Sequence, residues 1–361
     1  MLENLKELVA INSYDDDNII IDYLKQKFSP ISEEVLIVKN KENDNKSILI
    51  GLNTPLKDIE PIVLSGHIDT VAPDFEKYQT NPFELTLVDN KAYGLGSIDM
   101  KCFTAEILDN LNAMKSLRSP IVVALTTDEE TNLLCVNNVI DKFKELNIKP
   151  KFTIVGEPTQ MQINNHANGC YEYLVEVFGK ACHSSILEQG INSISVIAKL
   201  ITFIESEQKT YVGLTSNCGV IAGGDIVNRV PDYCQLKFDV RSTRAKEVDE
   251  FLKIIEEKIN ELKEEYNATI KIKKLLEIPP LEIKNLNLIN KLAKTFNLKI
   301  NKFMGGCEAG YYQALSGDTI IFGVGDMSLA HKPNEYVNIN EYNNYGKLLL
   351  NMLKTICELF Y

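Results

Sequence analysis

Short, uninterrupted apolar runs punctuate this chain, and four of them stop at a histidine or a carboxylate. Pro61-Ile62-Val63-Leu64-Ser65-Gly66 leads into His67 and Asp69. Ile121-Val122-Val123-Ala124-Leu125 leads into Asp128-Glu129-Glu130, and Phe152-Thr153-Ile154-Val155-Gly156 into Glu157. Ile320-Ile321-Phe322-Gly323 precedes, by a short loop, His331. A run without alternation is the signature of a strand covered on both faces, as in a parallel sheet. Ligand sites in open α/β sheets lie just beyond the carboxyl ends of such strands. The pattern therefore gathers two imidazoles and several carboxylates at one sheet edge. That is a donor set for divalent metal, two ions being expected, and it puts a hydrolase first among functions.

Between these runs lie helix-period segments at about 17–27, 100–117 and 132–146. Alternation of the two kinds predicts βαβ units and an α/β fold, with a mixed, mostly parallel sheet covered by helices. The pattern changes near His166. Tyr171, Tyr173, Val175 and Val177 alternate with Glu172, Leu174, Glu176 and Phe178. Segments 233–241 and 268–274 alternate likewise, as strands covered on one face do. With helical patterns at about 191–207 and 245–266, the order is β-α-β-β-α-β, a split βαβ or ferredoxin-like unit. The expected organisation is one domain of residues 1–166 and 278–361, interrupted by an inserted domain of residues 167–277. Pro279-Pro280 marks the return, and helices near 286–296 and 342–360 complete the first domain.

Composition narrows the classes. The chain has 361 residues, 45% of them hydrophobic, ample for more than one core. No stretch of about 18 apolar residues suggests a membrane span. The segment from Met1 to Val9 is a charged amphipathic pattern rather than a signal peptide, so a cytoplasmic location is expected. Eight cysteines without a Cys-x-x-Cys pair are expected to be free thiols. A net charge of -12 and no basic stripe exclude nucleic acid and anionic membrane as expected partners.

Each chemical signal also has a plain structural reading when taken alone. His67 could be a hydrogen-bonded histidine at a strand end, although Asp69, two residues on, suits the anchoring of a ligand imidazole. Asp99, in Tyr93-Gly94-Leu95-Gly96-Ser97-Ile98-Asp99-Met100-Lys101, stands where it could cap a helix or bridge two metals. The turn lacks phosphate-loop spacing. Asp128-Glu129-Glu130 could be an acidic first helical turn favoured by the helix dipole, or a ligand beside a metal-free base.

Together, Gly-His-x-Asp-Thr-Val, Gly-x-x-Asp-Met-Lys, Asp-Glu-Glu, Gly-Glu-Pro-Thr and the late Ala-His-x-Pro-x-Glu resemble the M20 family of co-catalytic zinc hydrolases. The resemblance spans essentially the whole chain and implies two Zn²⁺ per chain, with Co²⁺ as an expected substitute. It implies that His67 and Glu157 hold one ion, that Glu130 and His331 hold the other, and that Asp99 bridges them. Asp69 would orient His67, and Glu129 would be the general base.

Within the family the chain most resembles the acetylornithine deacetylase branch. Shared features are Thr127-Asp128-Glu129-Glu130-Thr131, Gly223-Gly224-Asp225 with Asn228-Arg229, Ala330-His331-Lys332-Pro333-Asn334-Glu335-Tyr336 and Cys307-Glu308-Ala309. This implies removal of an acetyl group from a small N-acyl amino acid, N2-acetyl-L-ornithine first, as in arginine biosynthesis. Succinyl-diaminopimelate desuccinylase, acetyl-citrulline or acetyl-lysine deacetylase, and dipeptidase or carboxypeptidase activities stay open. So does a non-catalytic amino-acid-binding relative, whose mark would be loss of Glu129 or a ligand; all are present. The segment Gly179-Lys180-Ala181-Cys182-His183-Ser184-Ser185 implies a homodimer formed through the inserted domain, with His183 stabilising the oxyanion in the partner's site. Arg241 and Asn228 are expected at the substrate α-carboxylate and Glu308 at its side-chain amine; alone, Arg241 would read as a surface ion pair. The chain departs from the family pattern at Ala167, at Ile186-Leu187 and at Cys102, none of them a ligand position.

Overall fold

The four apolar runs form the centre of one sheet. The computed structural model describes residues 2–14, 16–282, 285–315 and 317–361; Met1, where the amphipathic N-terminal pattern begins, lies outside them. Two compact units result. One comprises Met1–Ala167, Leu281–Phe303 and Cys307–Tyr361, the other Asn168–Pro280 and Met304–Gly306.

In the first unit eight strands lie in the order Glu34–Lys39, Lys46–Leu52, Ile121–Thr126, Ile62–His67, Phe152–Val155, Asp318–Ile321, Ile163–Ala167 and Ile300–Phe303. The middle four run parallel, in register from Ile62 opposite both Ile121 and Phe152 to His67 opposite Thr126. Parallel strands in step end together, so the residues after Thr126 and Val155 share one edge with His67. The strands Ile62–His67 and Ile121–Thr126 are buried throughout, which is why they show no alternation. Helices Asp17–Phe28, Lys101–Asp109, Leu134–Glu145, Leu286–Phe296 and Ile339–Phe360 cover the sheet. Leu134–Glu145 buries Cys135, Val136, Val139, Ile140 and Phe143, one helical stripe.

Two local expectations are corrected. The predicted helix at 100–117 is two helices, Lys101–Asp109 and Leu111–Ser116. At the junction Asn110 Nδ2 donates to the Glu106 carbonyl at 3.0 Å, and such side-chain bonds compete with the helical ladder. Asp99 caps nothing, because Met100 is the N-cap residue of Lys101–Asp109 and makes no side-chain cap. A further sheet of Thr86–Val88, Lys91–Tyr93 and Tyr336–Asn338 escaped the sequence reading. Three-residue strands are too short to show a period of two.

The second unit is a four-stranded antiparallel sheet in the order Leu214–Gly223, Tyr233–Ser242, Gly169–Phe178, Thr269–Ile278, with helices Ser193–Glu207 and Ala245–Tyr266. Tyr171, Tyr173, Val175 and Val177 join Leu236, Phe238 and Val240 in one core with both helices. The edge strand Leu214–Gly223 was not read from sequence: its residues are mostly exposed, and its register shifts between Cys218 and Val220. All eight cysteines are free, six of them buried. Among the described residues no helix is long and apolar enough to cross a membrane.

Candidate functional site

His67 is the last residue of its strand, and its ring projects from the sheet edge into a ring of acids. Its Nε2 lies 3.0 Å from Asp99 Oδ1. Its Nδ1 lies 3.1 Å from the Asp69 carbonyl and 3.5 Å from Asp69 Oδ1. Asp69 thus anchors the imidazole mainly through its backbone, while its Oδ2 accepts from the Glu130 N–H at 3.0 Å. One residue braces both the His67 imidazole and the acidic turn.

That turn separates three adjacent carboxylates. Asp128 is left-handed (φ 64°), and its carbonyl accepts from the N–H groups of Thr131, Asn132 and Leu133. Its Oδ1 caps Cys135 N at 3.0 Å, so Asp128 is consumed by the turn. Glu129 and Glu130 stay with the histidines. Glu157 follows Gly156, where a Cβ would collide with the Phe103 ring; glycine lets helix Lys101–Asp109 pack directly beneath. His331, also left-handed (φ 58°), brings Nε2 to 2.8 Å from Glu130 Oε2 and 3.3 Å from Asp99 Oδ2.

Ligand atoms of His67, Asp99 and Glu157 lie within 4.8 Å of one another, as do those of Asp99, Glu130 and His331, and those of His67, Glu129 and Glu130. A divalent ion about 2.0–2.2 Å from nitrogen or oxygen ligands spans such a cluster. The first two clusters share Asp99. Four carboxylates against two imidazoles leave excess negative charge, and Glu157 Oε1 is buried with no hydrogen-bond partner among the described residues. Without a cation these acids repel, and the donor set suits one. Burial pushes the Glu129 and Glu157 carboxyls well above their usual range. Burial also works against the His67 imidazolium, but hydrogen bonds with Asp69 and Asp99 outweigh it and hold that pKa well up. Hydrogen bonds to Asp99 and Glu130 raise His331 to about 10.

Glu308 departs from expectation. It is fully buried, its Oε1 accepting from Ser65 Oγ at 2.5 Å and its Oε2 from Thr126 Oγ1 at 2.9 Å. Both hydroxyls come from the strands that end at the site. With each oxygen engaged and none exposed, Glu308 is a buried brace between two strands rather than a surface for an amine.

In the second unit, His183 and Arg229 form an isolated bridge, and Ser184 N donates to the Asn228 carbonyl at 3.1 Å. That unit therefore brings the predicted His183 and Asn228 together. His183 is exposed, its Nδ1 accepting from Ser185 N at 3.2 Å. Arg241 stands apart, its Nε donating to Asp239 Oδ2 at 2.8 Å.

Glu335 is the functional residue sequence reasoning missed. It is buried, and its carboxylate accepts from Ile98 N at 2.7 Å, Asp99 N at 3.0 Å and Gly96 N at 3.2 Å. It holds the glycine-rich turn that presents Asp99, whose peptide bond to Met100 is cis. Burial first, then the Asp99 charge, raises its carboxyl to about 8. The signal was present in the motif that contains His331, but a carboxylate bound to backbone N–H groups about 240 residues away leaves no local trace.

Comparison with known proteins agrees with this geometry. Peptidase family M20/M25/M40 matches residues 63–355. The chain is 33% identical over 362 residues to the acetylornithine deacetylase of Buchnera aphidicola subsp. Schizaphis graminum (strain Sg), covering 96% of this chain and 93% of that protein. A crystal structure of a tripeptidase from Staphylococcus aureus superposes with a TM-score of 0.80 at 20% identity, covering 99% of this chain and 98% of that one. A dinuclear metal-binding M20 peptidase of Bacillus subtilis gives a TM-score of 0.72 at 12% identity, with 99% and 98% covered.

Proposed function

The chain belongs to peptidase family M20/M25/M40, and we propose that it is a two-zinc amidohydrolase that removes an acetyl group from a small N-acyl amino acid, N2-acetyl-L-ornithine first. The observation that carries the reading is the pair of ligand clusters sharing Asp99. His67 and Glu157 would hold one ion, Glu130 and His331 the other, and Asp99 both, which leaves Glu129 beside them without a ligand role. When bound, two divalent ions acidify water and polarise a carbonyl. Glu129 then takes a proton from the attacking water on its carboxylate and returns it to the amine nitrogen as the C–N bond breaks. Likeness to a relative bearing the name acetylornithine deacetylase supports the acetyl group and the substrate.

The proposal extends to the second unit. Asn228 and Arg241 bind the substrate carboxylate, Arg through its fork of donors. A second copy of the chain pairs through this unit, and its His183 completes the neighbouring site as an oxyanion donor. Support comes from exposed Val220 and Ile221 on the edge strand Leu214–Gly223, with Ile226 and Val227 following. Glu308, engaged by Ser65 and Thr126, would brace the two strands instead of meeting the substrate amine.

The test is a panel of N-acyl amino acids assayed with metal-loaded protein, before and after chelation. N2-acetyl-L-ornithine should be turned over faster than N-succinyl-diaminopimelate, chelation should abolish activity, and Zn²⁺ or Co²⁺ should restore it. Glu129→Gln should keep both metals and lose on the order of 10²–10⁴ in kcat; Glu130→Gln should lose an ion as well. Full activity of rigorously metal-free protein would sink the reading.

A further inference from the structure

We infer that Lys101 is a positioning residue of the metal centre, tying the segment after the N-terminal helix Glu3–Val9 to the turn that presents Asp99. The inference rests on the reading of Asp99 as a metal ligand, and it assigns a role to a residue that the proposed mechanism does not use. Lysine is almost never fully buried, because its head group loses water there. Lys101 is 0% exposed and is the first residue of helix Lys101–Asp109. Its Nζ donates to the Ile11 carbonyl at 2.8 Å. Burial lowers its pKa to about 7 against the pull of the Glu335 and Asp69 charges. The bond to Ile11 needs only an N–H, which amine and ammonium both supply.

The stem of the side chain makes the second contact. Gly96 has φ 77°, and a Cβ there would sit 2.9 Å from Lys101 Cδ and 3.0 Å from Thr70 Cγ2. The lysine methylenes therefore run directly against the turn on their way to Ile11. The Lys101 N–H also donates to the Gly96 carbonyl at 2.9 Å. The N-terminal helix meets the same turn independently, since a Cβ on Gly94 would lie 2.7 Å from Val9 Cγ1. Residues 9–11 thus grip the turn twice, once by apolar packing on Gly94 and once through Lys101.

What the turn carries makes this grip matter. Asp99 Oδ1 lies 3.0 Å from His67 Nε2, and Asp99 Oδ2 lies 3.3 Å from His331 Nε2. Asp99 belongs to two ligand clusters, so a shift of the turn is felt in both. Metal–ligand distances tolerate only about 0.2 Å. Glu335 holds the N–H groups of Gly96, Ile98 and Asp99. Those bonds fix the shape of the turn, and Lys101 fixes it to residues some 90 positions earlier in the chain.

The probe is Zn²⁺, titrated into the full chain against a competing chelator. Lys101→Met keeps an unbranched apolar stem and loses the donor. It should lower Zn²⁺ affinity about 10–100-fold, as loss of a ligand's support does. It should also alter the visible spectrum of the Co²⁺-loaded protein, which follows ligand geometry. Lys101→Arg keeps the stem and the donors and should bind Zn²⁺ more tightly than Lys101→Met. A lysine that served folding alone would lower the Tm of the metal-free variant and leave affinity and spectrum unchanged. Should Lys101→Met fail to fold, Lys101→Gln, whose amide reaches one bond less far, must lower the affinity by itself. Wild-type affinity and spectrum in the folded variant would overturn the inference, as would an arginine variant no better than the methionine one. Wild-type protein that binds no metal would overturn the metal reading itself and this inference with it, so the two failures are told apart.

Discussion

At His67 and His331 proton affinity is raised where a metal would bind. Both imidazoles sit against carboxylates that raise their pKa values, His331 to about 10, and burial pushes the Glu157 carboxyl up as well. Metal ligands must be deprotonated, so loading at neutral pH releases protons. Apparent metal affinity should therefore rise with pH across the neutral range, and calorimetric heats should differ between buffers of different ionisation enthalpy. Buffer-independent heats would mean that the metal-free site is already deprotonated. Glu335 acts on the same centre through backbone. Glu335→Gln exchanges one acceptor oxygen for a donor facing N–H groups that are themselves donors. Metal affinity should fall about 10–100-fold, the usual cost of losing a residue that supports a ligand, while circular dichroism stays unchanged.

Helices Lys101–Asp109 and Ile339–Phe360 meet around a buried acid. Glu106 is 3% exposed, and its Oε2 accepts from Asn110 Nδ2 at 3.1 Å. Gly346 faces it, and a Cβ there would collide with the carboxylate. Gly346→Ala should cost about 1–3 kcal/mol by overpacking. Burial raises the Glu106 pKa to about 8. The folded state thus holds a proton that the unfolded chain has released above its ordinary value of 4.5. Bound protons are more numerous in the folded state between those values, so this group makes stability fall as pH rises from about 5 to 8. Glu106→Gln removes the effect, and its stability relative to wild type in urea should improve by about 2 kcal/mol between pH 6 and pH 8. A difference independent of pH would place a charged Glu106 in the fold.

At the scale of the whole molecule, the proposed sharing of His183 between copies can be tested by mixing. His183→Ala should leave metal binding intact and lower activity by about 10²–10³. Combined with Glu129→Gln in verified heterodimers, one site carries both lesions and the other neither. Such heterodimers should regain up to about half the wild-type activity. No recovery would mean that His183 serves its own subunit or only the loop that it shares with Arg229.

Sequence alone determined the parallel centre of the sheet and the edge at which the ligands gather. Burial on both faces leaves an unbroken apolar run, and parallel register carries the run's last residue to a common edge. Helix Ala245–Tyr266 was legible to the residue, because its amphipathic period persists for 22 residues. Only the tertiary structure decided which neighbouring acid does what. Asp128, Glu129 and Glu130 are chemically alike in sequence, and a left-handed turn sends the first to Cys135 and leaves the other two with the histidines. Glu308 and Glu335 were undecidable for the same reason. A carboxylate's role depends on the donors around it, and theirs are brought by strands and turns some 180–240 residues away in the chain.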